Sequence, residues 1–345
     1  MQSGPLEPGD LDLVAALQIA PRAGVRLLAD VLGVSPATVS KRLARLRERH
    51  ALRIVGQGPW SLGSDATPYH VWIATRPGWS DAVAEAITEL DEAQFVAVTA
   101  GRADVYCILH PFHRSDGAAL LGTRLPAIDG IVRTRAELGL RRYFSGSGWR
   151  LRRLDAEQEA QLAEHRQGPL PKAAEVLGPD EVRVAGVLRH DGRSSTAEIA
   201  RQLGMSASTA YRVTQSLLSR GLVQPRVEIE PAVLGYPLEV VLSTSTAPGS
   251  MEDVARALSD LPSARYVTTV AGTSSVIHQA LFRHEDDLAD FLSQDLGRQR
   301  GVTTFEISVV LRVLTRYWSK PAEPGAGRAG VSPAARRPGR RPRRP

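Results

Sequence analysis

Between Leu32 and Leu52 the chain reads LGVSPATVSKRLARLRERHAL, and its side chains suit contact with a polyanion. Lys41, Arg42 and Arg45 place three cations within five residues, with the hydroxyls of Ser35, Thr38 and Ser40 just ahead of them. Val39, Leu43 and Leu46 recur at helical spacing and form an apolar back, so the polar residues fall on the other faces. A short helix with such a front suits the DNA major groove, where guanidinium, ammonium and hydroxyl groups meet base edges and phosphates. A second run, LGMSASTAYRVTQSLLSRGLV at 203–223, offers Ser206, Ser208, Thr209, Tyr211 and Arg212. There Val213 and Ser216 stand in place of Arg42 and Arg45, which predicts a weaker grip on phosphate.

A different chemistry is carried by histidine. VYCILHPFH supplies Cys107, His110 and His113, and His278 and His284 follow later. No HExxH, CxxC, GxSxG or Walker-type loop accompanies them, so the residues compose no catalytic, metal or cofactor signature. The expectation is therefore no catalytic residue, no metal ligand and no cofactor.

The cationic helices need elements to hold them. Gly33 sits where a helix ends and a tight turn begins, Ser35 can cap the next helix, and Pro36 fits its first turn. A first helix is expected over 11–19 after a cap at Asp10, a second over 24–32, and then the recognition helix. Leu52–Trp60 is β-rich, with Gly56 and Gly58 at a turn, as in a wing. Strand 68–76, helix 79–90, strands 95–101 and 104–110, helix 114–125 and strand 131–144 follow, the βαββαβ order of a ferredoxin-like unit. Residues 147–178 read as a linker, with flexible SGSG, a short helix in DAEQEAQLAEHR and a break at GPLP.

The pattern then starts again, offset by 171 residues without a gap. Leu32-Gly33-Val34-Ser35 aligns with Leu203-Gly204-Met205-Ser206, Val83 with Val254, Gly101 with Gly272 and Gly130 with Gly301. One register kept across a helix-turn-helix and a βαββαβ unit implies an internal repeat. The α+β fold expected is two copies of a winged helix-turn-helix followed by a ferredoxin-like domain. The heads span 10–62 and 179–232, the βαββαβ domains 66–146 and 236–318, and a basic tail 319–345.

Composition sets limits on partners. The net charge of +6 resides entirely in the tail from Pro321, with seven arginines and one acid, while residues 1–320 balance at zero. DNA binding by the body must then come from local patches. The tail has little to bury and reads as disordered, either holding phosphates without sequence preference or serving solubility. A single cysteine, Cys107, excludes an intramolecular disulfide and fits a cytoplasmic protein. No apolar run reaches the roughly 20 residues a membrane span needs.

On LGVSPATVSKRLARL (32–46), LGMSASTAYRVTQSLLSRGLV (203–223), VTAGRADVYCIL (98–109) and VAGTSSVIHQAL (270–281), the chain resembles the leucine-responsive regulator/AsnC (Lrp/AsnC) family of transcription factors, here as a tandem fusion. The resemblance implies double-stranded DNA as partner, sheets paired into dimers, and a small effector, typically an amino acid, at the turn between the second and third strands. Those turns map to Gly101, Arg102 and Asp104, and to Gly272, Thr273, Ser274 and Ser275. Asp104 would meet an ammonium group, and backbone N–H groups a carboxylate. In a tandem chain the two sheets would stack face to face internally as a pseudo-dimer, open to further homo-oligomerisation. Siroheme decarboxylases resemble the same family and also occur as fused pairs, which makes an enzyme working through histidines the alternative. A structural partner that has lost DNA contact in both heads is a third.

Overall fold

The computed structural model describes residues 6–48, 52–58, 66–144, 148–165 and 177–316. Residues 145–147 of SGSG, GPLP at 168–171, the end of the expected wing and the basic tail lie outside the described residues. The first head comprises α1 (Pro8–Ile19), α2 (Val25–Leu32) and α3 (Pro36–Glu48). Helix α1 begins at Pro8, so Asp10 lies inside it and is not its cap. Gly33 ends α2 at φ 63°, a left-handed conformation that glycine adopts without steric cost. Val39, Leu43 and Leu46 of α3 are buried as the spacing requires, each contributing on the order of 1.5–3 kcal/mol from burial.

Strand β1 (Arg53–Gln57) follows, and here the structure departs from a wing. Gly56 lies within the strand, opposite Pro225, and not at a turn. Its backbone passes so close to Leu188 O that a Cβ would stand 2.6 Å away.

The first βαββαβ unit is β2 (Tyr69–Thr75), α4 (Ser80–Thr88), β3 (Ala93–Gly101), β4 (Val105–Leu109), α5 (Asp116–Ala119) and β5 (Ile131–Phe144). The helix expected over 114–125 is one α-turn continued by a π-turn at Leu120–Arg124. Part of the expected linker is helical. Helix α6 (Ala156–Ala163) carries a capping box between Asp155 and Gln158 and packs Leu162 into the core of the first head.

A second set of elements repeats this order. It comprises α7 (Pro179–His190), α8 (Thr196–Leu203), α9 (Ala207–Ser219), β6 (Gln224–Glu228), β7 (Leu238–Thr246), α10 (Met251–Ser259), β8 (Ala264–Ala271), β9 (Val276–Phe282), α11 (Glu285–Asp290) and β10 (Val302–Arg316). Gly204 ends α8 at φ 63°, as Gly33 ends α2. Strand β6 pairs antiparallel with β1 of the first head.

The two βαββαβ sheets do not simply stack face to face. They join along their edges into one closed eight-stranded barrel, in the order β10-β3-β4-β2-β5-β8-β9-β7. The long last strands make the seams. Strand β5 pairs with β2 over Ile131–Leu138 and with β8 over Leu138–Phe144. Strand β10 pairs with β7 over Val302–Val309 and with β3 over Ser308–Arg316.

Such sharing leaves neither sheet with a free edge. Trp72, Phe95, Tyr106, Ile108, Val241 and Ile277 pack inside the barrel. Helices α4 and α10 cover the outer faces over separate apolar cores. Along β10, Ile307 and Val309 pack against the second outer core, whereas Phe305 and Leu311 are exposed.

Candidate nucleic-acid interface and effector turns

Each recognition helix is started by a serine. Ser35 Oγ accepts from Thr38 N at 3.1 Å and lies 2.8 Å from Thr38 Oγ1. In the second head Ser206 Oγ accepts from Thr209 N at 3.1 Å and donates to Thr209 Oγ1, while Ser208 Oγ lies 3.0 Å away. Backbone donors at each helix start are thereby satisfied. Ser35, Pro36, Ser40 and Lys41 are exposed, as are Ser206, Ser208, Tyr211 and Arg212. Tyr211 is 59% exposed, an unusual position for an aromatic ring on a folded surface.

Arg42 and Arg45 do not join that outward face. Arg45 Nη2 donates to Asp10 Oδ2 at 2.6 Å and to Glu7 Oε2 at 3.1 Å. Arg42 Nη1 donates to Gly9 O at 3.1 Å. Asp10 is 2% exposed, so the two cations serve a buried carboxylate on α1 and hold α3 against it. The hydrogen bond that Arg45 donates to Asp10 stabilises the charged form of the guanidinium. The repeat carried a signal of this orientation. Position 213, equivalent to 42, is a buried valine, and Ser216, equivalent to 45, accepts from Arg220. Arg47, on the exposed side of α3, is the further cation of this helix that faces outward.

The heads are locked by a contact that motif reading missed. Arg22 donates to Gly192 O and, at 3.1 Å, to Ser194 O. Arg193 donates to Pro21 O at 2.9 Å and Ala23 O at 2.8 Å. Donors and acceptors exchange at the 171-residue offset, so the contact is reciprocal. Burial lowers the pKa of both guanidiniums. Gly192 N also donates to Ile54 O of β1 at 2.7 Å.

The two expected effector turns meet opposite long strands. Gly101, at φ 128°, presses against β10, where a Cβ would stand 2.3 Å from Ile307 O. Asp104 Oδ2 accepts from Thr75 N at 2.7 Å, and Ser275 Oγ accepts from Thr246 N at 3.1 Å. The acid and the serine thus perform one local task, closing the strand end, and Asp104 is engaged there instead of being presented to an ammonium group.

Arg102 reaches across to the second turn. It donates to Ser274 Oγ at 3.0 Å, Thr273 Oγ1 at 3.1 Å and Glu137 Oε1 at 3.2 Å, and lies 4.7 Å from the centre of the Trp72 ring. Glu137 Oε1 also accepts from Ser274 N at 3.2 Å, so the carboxylate on this turn is the chain's own. Burial pushes the Glu137 carboxyl up, but Thr273, Arg102 and Ser274 together hold it below its usual range.

Glu137 stands opposite His70 in the β2–β5 ladder. His70 Nδ1 lies 2.6 Å from Tyr106 Oη inside the barrel, and burial lowers its pKa to about 3.

The histidines and cysteine considered for catalysis are spread apart. Cys107 packs under α4, and burial pushes its thiol up. His278 lies beneath the other helix layer, 5.6 Å from the Phe291 ring, with no hydrogen-bond partner on either nitrogen. His110 Nε2 is 2.9 Å from Ala66 O, and His284 precedes α11. Among the described residues no group of three or more His, Cys, Asp or Glu side chains is placed to hold a metal ion. Among them, too, no helix is long and apolar enough to cross a membrane.

Fold and heads together define a helix-turn-helix protein joined to βαββαβ domains. Residues 8–47 match the AsnC-type helix-turn-helix domain and residues 239–317 the Lrp/AsnC ligand binding domain. Residues 186–226 match the IclR helix-turn-helix domain. The chain is 28% identical over 132 residues to an uncharacterized helix-turn-helix-type transcriptional regulator of Pyrococcus furiosus, covering 38% of this chain and 89% of that protein. It is 28% identical over 129 residues to the regulator LrpA of Pyrococcus horikoshii, covering 37% and 92%. In fold it resembles the siroheme decarboxylase NirDL, with a TM-score of 0.60 and 12% identity over 90% of this chain and 93% of that one. The chain is a helix-turn-helix transcriptional regulator of Lrp/AsnC type with a ligand-binding domain.

Proposed function

We propose that this chain is a tandem regulator in which two unlike heads, held at a fixed spacing by an internal pseudo-dimer, read two different half-sites of double-stranded DNA. The observation that carries the reading is the reciprocal lock of Arg22 and Arg193, whose partners interchange at the same 171-residue offset as the helix-turn-helix signatures. The near-complete fit of single-module relatives into 38% of the chain supports the duplication. In the first head Ser35, Pro36, Thr38, Ser40 and Lys41 meet DNA, while Arg42 and Arg45 set the angle of the helix. In the second head Ser206, Ser208, Thr209, Tyr211 and Arg212 do so. A homodimer reads two identical half-sites, whereas a fused pair is free to read two different ones.

A small-molecule effector adjusts this binding. Arg102 and Glu137 occupy the space between the two turns and tie them together, so a ligand there must displace or extend that network. Selection of bound duplexes by the purified chain, with and without candidate effectors, tests the reading. Recovery of one asymmetric two-part site is expected. Failure to enrich any sequence, together with decarboxylation of added siroheme, would replace the regulator with the enzyme.

A further inference from the structure

We infer that the cleft between the first head, the α6 segment and the second βαββαβ unit binds a small polyanion, a molecule bearing two or more phosphate or carboxylate groups. The cleft measures about 390 Å³, within the size range of small-molecule sites. Arg150, Arg152, Arg153 and Arg283 line it, and no acidic residue does. Arg153 Nε is paired with Asp12 at 2.6 Å, both side chains about a third exposed. Among the described residues Arg152 has no carboxylate partner, and it is exposed at the rim. Arg283 is held in place, since its Nη2 donates to Tyr236 Oη at 3.2 Å and its guanidinium stands 5.1 Å from that ring's centre. Trp149 packs edge-on against the same ring, with centroids 5.1 Å apart.

Charge and shape choose the ligand. Arg152 at the rim, with the guanidiniums of Arg150, Arg153 and Arg283 along the same lining, gives an anion with several acceptor oxygens charge-assisted hydrogen-bond donors on more than one side. Leu11, Leu151 and Leu234 also line the cleft and supply apolar contact to a carbon skeleton or a base. A simple zwitterionic amino acid fits poorly, because its single carboxylate is accompanied by an ammonium group that the arginines disfavour.

The location gives such binding a consequence. Leu11 belongs to α1 of the first head, and Leu234 to Tyr236 form the segment between the second head and β7. Pro262 and Arg283 belong to the second βαββαβ unit. An anion here bridges elements that carry DNA contacts to the domain that matches a ligand-binding family. Binding itself does not depend on the DNA reading; only this coupling rests on it.

Isothermal titration of the full chain with ATP and with citrate separates phosphate from carboxylate ligands, and alanine serves as the zwitterionic amino-acid control. One-to-one binding of ATP or citrate, weakened tenfold or more in the Arg150→Glu, Arg152→Glu double variant, is expected. The single Arg152→Ala variant, which removes an exposed side chain, should lose affinity without a change in melting temperature. It keeps the test valid should the double variant misfold. No binding of either probe, or equal affinity in parent and Arg152→Ala, overturns the inference. So does a variant that loses only a random DNA duplex, because the arginines would then be a DNA contact. Loss of operator binding with ATP or citrate binding intact would instead count against the DNA reading alone.

Discussion

Two buried neutral histidines should make the protein sensitive to mild acid. His70 and His278 are fully buried, and burial lowers each pKa from 6.5 to about 3. The folded state therefore resists protonation, whereas the unfolded chain takes up protons as soon as the pH falls below about 6.5. Stability is fully present above that value and is lost on the way down. At pH 5 each histidine costs about 2 kcal/mol relative to pH 7.5, so the pair removes about 4 kcal/mol, a large share of a typical folding free energy. Glu137 and Glu239, whose carboxyls are held low, lose their contribution only at lower pH and do not dominate this window.

Urea unfolding followed at pH 7.5, 6 and 5 measures the slope. His278 is the cleaner site, because neither nitrogen has a hydrogen-bond partner and its surroundings include the Phe291 ring. His278→Leu should remove about 2 kcal/mol of the loss between pH 7.5 and 5 while leaving stability at pH 7.5 equal or higher. An unchanged slope in His278→Leu would refute the reasoning, because the proton uptake would then lie elsewhere.

Four further variants probe the heads and the turns. Arg22→Ala with Arg193→Ala removes the reciprocal lock, and binding to a two-part site should fall about tenfold or more in gel shift, with single half-site affinity retained. Arg42→Ala with Arg45→Ala leaves Asp10 buried without its partners, so the first head should lose about 1–3 kcal/mol in unfolding experiments. Lys41→Ala should instead weaken DNA binding with melting temperature unchanged. Arg102→Ala strands the Glu137 carboxylate inside the barrel, a loss of about 3–5 kcal/mol at neutral pH. That loss should shrink below the usual carboxylate range as Glu137 takes up a proton, and a pH-independent loss would count against the ion pair.

Much of this architecture was legible in the residues because it depends on local chemistry. Gly33, Ser35 and Pro36 announced the turn into the recognition helix, and the same signals at Gly204 and Ser206 announced the second. Alternation marked the strands well, since a pleated strand repeats every two residues. It could not say which neighbour a strand would pair with. Strands β5 and β10 divide their lengths between two partners, and nothing in IVRTRAELGLRRYF marks Leu138 as the crossing point.

The same run hid Glu137, which looks like one more solvent-facing polar residue until the barrel closes over it. The partners of Arg42 and Arg45 were hidden for a related reason. A cation beside an apolar stripe is indistinguishable by spacing from one that faces outward, and the partners that decide its direction, Gly9 and Asp10 for Arg42, Glu7 and Asp10 for Arg45, lie far earlier in the chain. Arg22 and Arg193 were recoverable in principle, because they share a position in the repeat.

In the proposed regulator one chain uses both heads on one DNA site. Light scattering coupled to size-exclusion chromatography, run on the chain with its selected duplex, tests it most directly. One 37.3 kDa chain per two-part site, with both half-sites protected from cleavage, is expected. Two chains per site, each protecting one half-site through its first head alone, would contradict it.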